Sequence, residues 1–391
     1  MDPDTLLAPL VGIEAACGAR VVWRFLRGMN ATRIASAPSG PPPGERMAVV
    51  LPTLNEAARL APCMEGLLAQ GPEVAEILVV DGGSNDGTQA LVERFAARDA
   101  RVRLLDASPI PDGWNGKAWG LDYGARRVAP DLPWILTVDA DTRPAPGLAR
   151  ALLAHGMRSS EAAFSIAARQ EIHGAGEALL HPSLLTTLIY RFGPPGRVTR
   201  RVSEAQANGQ CFLFRRAPLE AVGGFAAVRE SICEDVTIAR LLIASGYAVG
   251  FYEAGDLIRT RMYEGWRETW RNWTRSLPMR DRYFGLAGVA GLLEVTFAQA
   301  LAPWTLVALL ALLALRRPLG PLRLALLAAT GALTALRLGT LVGAARAYVS
   351  HPWTYWLSPL CDLPVAVGLW RSAMRRAHVW RGRALTRGGG R

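Results

Sequence analysis

The chain has 391 residues, half of them hydrophobic, and a formal net charge of +11 at pH 7. This composition is more apolar than that of a typical soluble protein of the same length, and the apolar excess lies near the C-terminal end. The five cysteines are scattered without C-x-x-C spacing, which excludes a cysteine zinc site and a disulfide framework.

The first predicted element is an apolar stretch from Leu6 to Leu26, which contains Glu14 and Arg20 and lacks a cleavage site. A signal peptide is therefore excluded, and we expect a helix that lies in the membrane interface or forms a short anchor. The segment Pro38 to Pro43 then predicts a linker into the first strand.

Three apolar segments that end in polar residues predict three strands of one sheet. They begin at Met47, Ile77 and Ile135, and stretches with helical spacing run from about Glu56 to Gln70 and from Gln89 to Arg98. This alternation predicts a mostly parallel, doubly wound α/β sheet. Ligands of such sheets bind at the carboxyl ends of the strands. The acids expected there are Glu56, Asp81, Asp86, Asp139 and Asp141.

Asp139 and Asp141 follow the third strand and are separated by one residue. If the strand continues through them, both side chains project to the same side and face one divalent ion. Carboxylate oxygens suit Mg²⁺ or Mn²⁺ that carries phosphates. An isolated D-x-D is also compatible with a solvated turn, but the neighbouring acid-tipped strands favour a metal site.

Lys117 is the only lysine among the 44 basic residues, and it lies in the glycine-rich segment 113–120. A compact ammonium in a turn that lets backbone approach a ligand points to nucleotide or phosphate binding. The segment does not match the G-x-x-x-x-G-K-[ST] phosphate loop, because Ala118 follows the lysine.

Glu234 and Asp235 precede an apolar stretch that predicts a helix through Leu242. Acidic residues at a helix N-terminus are stabilised by about 0.3 to 1 kcal/mol, so a structural role is one explanation. A carboxylate placed near an acceptor hydroxyl also acts as a general base. The pair is therefore the candidate for the catalytic base.

The motifs P-T-L-N-E, V-V-D-G-G-S-N-D-G-T and D-A-D, in this order, resemble those of family 2 glycosyltransferases with the GT-A fold. G-G-F followed by E-D before a helix resembles the acceptor-side signature of the same family. The likeness runs from about residue 47 to 283. It implies inverting transfer of a sugar from a nucleotide-sugar donor, UDP- or GDP-linked, with the help of Mg²⁺ or Mn²⁺.

The resemblance also implies a role for each motif residue. Asp141 is expected to bind the metal, Asp139 the nucleoside and Asp81 the base, while Asp235 is the general base, oriented by Glu234. Further residues are expected to line the nucleotide pocket, namely Pro52, Thr53, Asn55, Glu56 and Lys117.

Family members carry Q/R-x-x-R-W over the diphosphate, whereas this chain has Trp270 and Arg271 in the reverse order. Arg271, Trp273 and Arg275 are the candidates for that role. The same mixture of arginine and tryptophan is also typical of a nucleic-acid surface or an interfacial helix. The segment 208–211 is a further candidate lining of the sugar or acceptor pocket.

The segment Val295 to Leu315 has 21 residues without a charge, enough to cross a bilayer as a helix. Leu324 to Leu336, which ends at Arg337, and Trp353 to Trp370, which is interrupted by Asp362, are compatible with membrane segments or with buried helices.

Arginines cluster beside the apolar segments, a pattern typical of chains that face the cytoplasm and anionic lipid. We therefore expect a bacterial inner-membrane protein with a cytoplasmic catalytic domain, an even number of crossings and no nucleic-acid partner. The clustered residues are Arg20, Arg24, Arg27, Arg371, Arg375, Arg376, Arg381, Arg383, Arg387 and Arg391.

The predicted domains are an anchor helix (1–37), a linker (38–46), the GT-A domain (47–284), a membrane region of two to three helices (285–372) and a basic tail (373–391). Within the family the chain most resembles bacterial enzymes that act on carotenoid or hopanoid lipids, which implies a lipid acceptor. Transfer to a polyprenyl phosphate, polysaccharide synthesis and an inactive scaffold are the alternatives. A haloacid-dehalogenase-type phosphatase is disfavoured, because its motif requires threonine where Arg143 stands.

Overall fold

The structure, a computed structural model, describes residues 7–36, 44–277, 279–375, 377–380 and 383–386. Residues 38–43 of the predicted linker and the last residue of the predicted anchor segment lie outside the described residues. Four arginines of the predicted tail also lie outside them: Arg376, Arg381, Arg387 and Arg391.

The described chain contains the following strands: β1 (Met47–Thr53), β2 (Val74–Asp81), β3 (Val102–Asp106), β4 (Trp134–Val138), β5 (Thr142–Pro144), β6 (Ala163–Ala167), β7 (Arg169–Gln170), β8 (Arg197–Thr199), β9 (Cys211–Arg215), β10 (Val249–Glu253), β11 (Ile258–Thr260), β12 (Ala377–Trp380) and β13 (Arg383–Thr386). Eight of them form the central sheet, in the order β3-β2-β1-β4-β9-β6-β10-β8. A small sheet has the order β5-β11-β7, and β12 pairs with β13.

The α-helices are α1 (Leu7–Arg27), α2 (Leu60–Leu68), α3 (Thr88–Ala96), α4 (Gly116–Ala125), α5 (Leu148–Arg158), α6 (Ala175–Phe192), α7 (Arg216–Ala221), α8 (Glu234–Ala244), α9 (Gly265–Ser276), α10 (Gly285–Glu294), α11 (Ala302–Ala314), α12 (Pro321–Ala344) and α13 (Asp362–Met374). A π-helical segment, Val295–Leu301, joins α10 to α11.

The N-terminal half of the central sheet is parallel, as the alternation of strands and helices predicts. β1 pairs in parallel with β2 and β4, and β2 with β3. β9 is antiparallel to both of its neighbours, β4 and β6, so the complete sheet is mixed. The predicted α/β fold with a mostly parallel sheet is confirmed.

Successive side chains of each strand point to opposite faces of the sheet, so both faces carry apolar residues, and helices cover both. Val49 and Leu51 belong to one buried core, while Ala48 and Val50 belong to the core on the opposite face. On this second face α4 packs closely through a glycine, since a Cβ at Gly124 would lie 2.5 Å from Cγ1 of Val50. This close approach brings the N-terminus of α4 to the carboxyl edge of β1.

The prediction that Asp139 and Asp141 lie in a strand is wrong. β4 ends at Val138, and the chain then turns, with the Thr142 amide and hydroxyl donating to the Asp139 carbonyl at 3.2 and 2.8 Å. The turn forms because Thr142 begins β5, which pairs with β11 in the small sheet. The two carboxylates are therefore presented by a turn.

Two helices of the described chain are long and apolar enough to cross a membrane: Gly285–Ala314 and Pro321–Ala347. The first contains all but the last residue of the predicted segment Val295 to Leu315, and the second contains the predicted segment Leu324 to Leu336. The third predicted segment instead forms a 3₁₀ helix, Trp353–Cys361, followed by α13.

Arg337, which ends the second predicted apolar segment, pairs with Asp362, which interrupts the third. Nε of Arg337 on α12 lies 2.7 Å from Oδ2 of Asp362 on α13, and neither side chain is exposed. Ser183 and Gln299 also donate to Asp362, at 2.6 and 2.8 Å. Because the two charges compensate each other and are hydrogen-bonded, both remain buried among apolar helices.

Candidate active site

A cavity of about 1310 Å³ opens at the carboxyl ends of β1 and β4 and at the N-termini of α4 and α8. We call it the active cavity. Its lining contains most of the acids that the sequence places at the strand ends and before α8: Glu56, Asp139, Asp141, Glu234 and Asp235. The fold thus brings together residues from four separate segments of the chain.

Lys117 lies between the acids of the β4–β5 turn and the acids of α8. Its Nζ is 2.7 Å from Oδ1 of Asp139 and 2.9 Å from Oε1 of Glu234. Burial alone would lower the pKa of Lys117, but Asp139, Glu234 and Asp235 raise it well above its usual value. Lys117 is therefore charged and compensates the carboxylates around it.

The start of α4 fixes the position of Lys117. Asn115 caps this helix, and its Oδ1 accepts a hydrogen bond from the Lys117 amide at 3.1 Å. Its amide group donates to the carbonyl of Ser231 at 2.7 Å, and its backbone amide donates to the carbonyl of Arg229. One residue thus joins the lysine-bearing helix to the loop that leads into α8.

Gly209 packs closely against Lys117. A Cβ at this position would lie 2.5 Å from Nζ of Lys117 and 3.4 Å from Oδ2 of Asp235. The Gly209 amide donates to Oδ2 of Asp235 at 2.8 Å. The segment 208–211, predicted as a candidate lining, therefore reaches the cavity through Asn208 and Gly209.

Asp235 begins α8 together with Glu234. Its Oδ1 accepts from the Val236 amide at 2.8 Å, so backbone donors orient the carboxylate. Burial and the neighbouring charge of Glu234 raise the pKa of Asp235 to about 6. A carboxylate with this pKa is ionised at neutral pH and accepts a proton more readily than an ordinary aspartate.

Asp141 lies in a strongly anionic part of the cavity. Burial, with Asp139 and Glu56 nearby, raises its pKa to about 7. A divalent cation would relieve this repulsion, so the carboxylate donors fit Mg²⁺ or Mn²⁺. The described residues contain no cluster of three or more His, Cys, Asp or Glu side chains that could hold a metal ion.

The loops after β1 and β2 are joined through polar side chains. Asn55 adopts a left-handed conformation (φ 57°), which asparagine tolerates, and its Oδ1 accepts from the Asn85 amide at 3.0 Å. Asp86 accepts from the Ala57 amide at 3.0 Å. These contacts hold Pro52, Thr53, Asn55 and Glu56 along one wall of the cavity.

Asp81, predicted to contact the nucleotide base, does not line the cavity. Its carboxylate is fully buried and accepts from the Gly83 and Ser84 amides at 3.0 and 2.8 Å and from Gln89 at 2.7 Å. In this structure Asp81 holds the loop after β2. A contact with the base stays a prediction.

α9 places only part of the predicted arginine–tryptophan segment at the cavity. Trp273 and Arg275 line it, whereas Arg271 is exposed and does not. Trp273 is buried, and its ring lies 4.2 Å from that of His181. The reversed motif therefore leaves Arg275 as the arginine of this segment that reaches the cavity.

Arg59 also lines the cavity, although none of the sequence motifs includes it. It donates to Glu268 at 2.9 Å and contributes to the electrostatic surroundings of Asp141. Its position three residues after Glu56, directly before α2, was the available signal.

The cavity also extends between three helices that are far apart in the sequence. We call this part the apolar arm. It is lined by Phe25 and Gly28 at the end of α1, Leu185 and Leu188 of α6, and Gly339 and Gly343 of α12. No local sequence pattern indicates that these helices meet at the site.

Residues 48–223 match the family model Glycosyl transferase family 2. This part of the chain is similar to that family, and the fold of the chain is GT-A-like.

Two curated relatives match shorter segments. The lipopolysaccharide core biosynthesis glycosyltransferase LpsC of Rhizobium meliloti is 34% identical over 90 residues, which cover 23% of this chain and 29% of the relative. The polyprenol monophosphomannose synthase of Mycolicibacterium smegmatis is 34% identical over 105 residues, 27% of this chain and 38% of the relative. The chain thus spans about a third of the length of these relatives.

A solved structure is similar over nearly the whole chain. The mannosyltransferase PcManGT from Pyrobaculum calidifontis, in complex with GDP-Man and Mn²⁺, has a TM-score of 0.57 and 21% sequence identity. The match covers 94% of this chain and 99% of PcManGT. The fold, including the helices after the domain, is therefore shared.

Proposed function

We propose that this protein is an inverting glycosyltransferase, which moves a sugar from a UDP- or GDP-sugar to a hydroxyl of a lipid acceptor at the membrane surface. One observation carries the proposal: the active cavity contains both the apolar arm and an acid cluster. The acid cluster comprises Glu56, Asp139, Asp141, Glu234 and Asp235. The cluster supplies the chemistry of transfer, and the arm supplies an apolar environment next to it.

The acceptor side of the reaction centres on Asp235. Its carboxylate takes the proton of the acceptor hydroxyl while the hydroxyl oxygen attacks the anomeric carbon of the sugar. The bond between that carbon and the diphosphate breaks on the opposite side, which inverts the configuration. The Gly209 amide, at 2.8 Å, holds the carboxylate in position, and Glu234 raises its pKa.

The donor side is assigned to the walls around the β4–β5 turn. Pro52, Thr53, Asn55 and Glu56 line the nucleotide pocket, Asp139 contacts the nucleoside, and Lys117 contacts the nucleotide or its phosphates. A divalent ion held by Asp141 would neutralise charge on the departing diphosphate. Arg275 adds positive charge to the same cavity.

The apolar arm supports a lipid acceptor. Its walls come from α1, α6 and α12, and α12 belongs to one of the helices apolar enough to cross a membrane. The apolar chain of a lipid held there would be shielded from water, while its hydroxyl lies in the same cavity as the acids. We place the chain in the bacterial inner membrane, with the predicted GT-A domain (47–284) in the cytoplasm and the membrane region over 285–372.

The proposal is tested by incubating the purified chain with radiolabelled UDP- and GDP-sugars and a bacterial lipid extract. We expect label in the organic phase with one donor class. Loss of the base in Asp235→Asn should reduce transfer by about 10²- to 10⁴-fold. Asp131→Asn is the matched control, because Asp131 is exposed and does not line the cavity. Transfer by Asp235→Asn at the wild-type rate would overturn the assignment of Asp235 as the base.

A polyprenyl phosphate is the second candidate acceptor, because two arginines of the cavity could bind its phosphate. Arg33 and Arg346 line the active cavity and share one acid, Glu253, at 3.2 and 3.3 Å. This leaves a positive charge that suits a phosphate. Competition between an alcohol acceptor and a polyprenyl phosphate in the same assay distinguishes the two candidates.

A further inference from the structure

A second cavity, of about 230 Å³, lies between α1, the C-terminal end of α6, the segment before β9, and α10. We call it the arginine cavity. Among the described residues none lines both this cavity and the active cavity. α1 separates them, because Phe25 and Gly28 face the apolar arm whereas Arg24 and Arg27 face the arginine cavity.

The arginines of this cavity outnumber the acids that neutralise them. Three of them share Glu204: Arg27 at 2.9 Å, Arg201 at 3.4 Å and Arg197 at 4.0 Å. One carboxylate carries a single negative charge, so this side of the cavity keeps a positive excess.

On the opposite side of the cavity, arginines again share a single acid. Arg20 and Arg24 both bind Glu294, with Nη1 of Arg24 at 2.6 Å from its Oε2. Glu294 is completely buried, which makes it inaccessible as a partner for further cations. The positive excess therefore extends across the cavity.

Two buried arginines, Arg191 and Arg240, close the inner wall. Arg240 binds Asp281 at 2.8 Å, and Nε of Arg191 donates to the carbonyl of Thr187 at 3.1 Å. Burial, with Arg240 nearby, lowers the pKa of Arg191 to about 9. The surroundings thus disfavour additional positive charge, and an anion in the cavity would be stabilised.

Exposed apolar side chains lie on two of the helices that line the arginine cavity. Val22 and Leu26 project from α1, and Leu286 and Val289 project from α10, each at least 37% exposed. Trp23 lines the cavity itself. Arginines beside exposed apolar and aromatic side chains are typical of the headgroup level of a membrane. α10 also begins one of the helices apolar enough to cross a bilayer.

We infer that the arginine cavity binds the phosphate of an anionic phospholipid headgroup, while the apolar side chains of α1 and α10 contact the acyl chains. The phosphate would accept hydrogen bonds from several guanidinium groups, which bind phosphate with two parallel donors. The site is separate from the proposed transfer reaction and does not require it.

The test uses the purified full-length chain in a non-ionic detergent at low ionic strength. Native mass spectrometry measures binding of dioctanoylphosphatidylglycerol, with dioctanoylphosphatidylcholine and inorganic phosphate as separate probes. The test variant is Arg197→Gln with Arg201→Gln. The matched control is Arg200→Gln, because Arg200 is the exposed neighbour of Arg201 and lines neither cavity.

We expect the double substitution to weaken phosphatidylglycerol binding by about 10- to 30-fold, and Arg200→Gln to change it less than twofold. Glu204→Gln should strengthen binding, because it removes the acid that three arginines share. All variants should keep wild-type thermal unfolding. Equal binding by wild type and the double variant, equal binding of phosphatidylcholine, or phosphate binding as tight as that of the lipid would overturn the proposal.

Discussion

Nζ of Lys117 lies 2.7 Å from Oδ1 of Asp139, and this ion pair connects the two sides of the active cavity. Asp139 belongs to the turn after β4, whereas Lys117 also binds Glu234 on α8 at 2.9 Å. The single lysine of the chain therefore links the proposed donor side to the proposed acceptor side. Any substitution there should affect both.

Lys117→Met should leave Asp139 and Glu234 without their shared cation. We expect transfer to fall by about 10²-fold and stability by about 1 to 3 kcal/mol, because the acids lose a charged hydrogen-bond donor in a partly buried site. Steady-state kinetics and denaturant unfolding measure the two effects.

Lys117→Arg is the informative control. Gly209 approaches so closely that a single Cβ there would lie 2.5 Å from Nζ of Lys117, so we expect the larger guanidinium to be displaced from this position. We expect Arg to restore stability only in part and activity hardly at all. Full activity with Arg would show that any positive charge suffices.

The pH dependence of transfer follows from Asp235. The base must be deprotonated, and burial and Glu234 raise its pKa to about 6. With donor, acceptor and metal saturating, the rate should therefore be at its plateau above about pH 7 and fall about tenfold for each unit below pH 6.

Glu234→Gln tests the cause of this shift. Removing the negative charge that raises the pKa of Asp235 should move the acidic limb of the profile to lower pH. A limb that stays in place, or that persists in Asp235→Asn, would assign the titration to another group.

The ionisation of Asp141 should determine how much divalent metal the transfer reaction requires. The pKa of Asp141 is raised to about 7 by burial, Asp139 and Glu56, so protons compete with the ion below that pH. The concentration of Mn²⁺ required for half-maximal transfer should rise as pH falls from 8 to 6. Asp141→Asn should raise it by at least about tenfold, whereas Asp131→Asn should leave it unchanged.

A substitution at Gly343 tests whether the apolar arm holds the lipid acceptor. The Cβ position of Gly343 has no other atom within 4 Å, so Gly343→Leu should fill the arm without disturbing the protein. We expect kcat/KM for a long-chain lipid acceptor to fall at least tenfold, while hydrolysis of the nucleotide-sugar in the absence of acceptor stays within twofold.

Gly331→Leu is the matched control for this substitution. Gly331 lies in the same helix, its Cβ position is equally open, and it does not line the cavity. The gain in helix propensity is the same for both substitutions. Equal loss in both variants would point to a general effect on α12 and against an acceptor arm.

The sequence predicts the parts of the fold that depend on local patterns. Apolar runs and turn residues locate β1, β2 and β4, and helical spacing locates α2 and α3, because each pattern is set by residues close in the chain. The same logic places Glu56, Asp139 and Asp141 at one edge of the sheet.

Features that depend on distant contacts were not predictable in this way. The turn at Asp139 forms because β5 pairs with β11, more than a hundred residues later. Arg337 ends one predicted apolar segment and Asp362 interrupts another, yet the folded chain pairs them at 2.7 Å. The apolar arm likewise requires α1, α6 and α12 to meet.

Mass spectrometry of membrane lipids tests the central claim most directly. Lipids are compared from cells that express the wild-type chain and cells that express Asp235→Asn at the same level. We predict a lipid that is heavier by one hexose or one N-acetylhexosamine only with the wild-type chain. Identical lipid profiles, with the sugar recovered only in water-soluble products, would contradict transfer to a lipid acceptor.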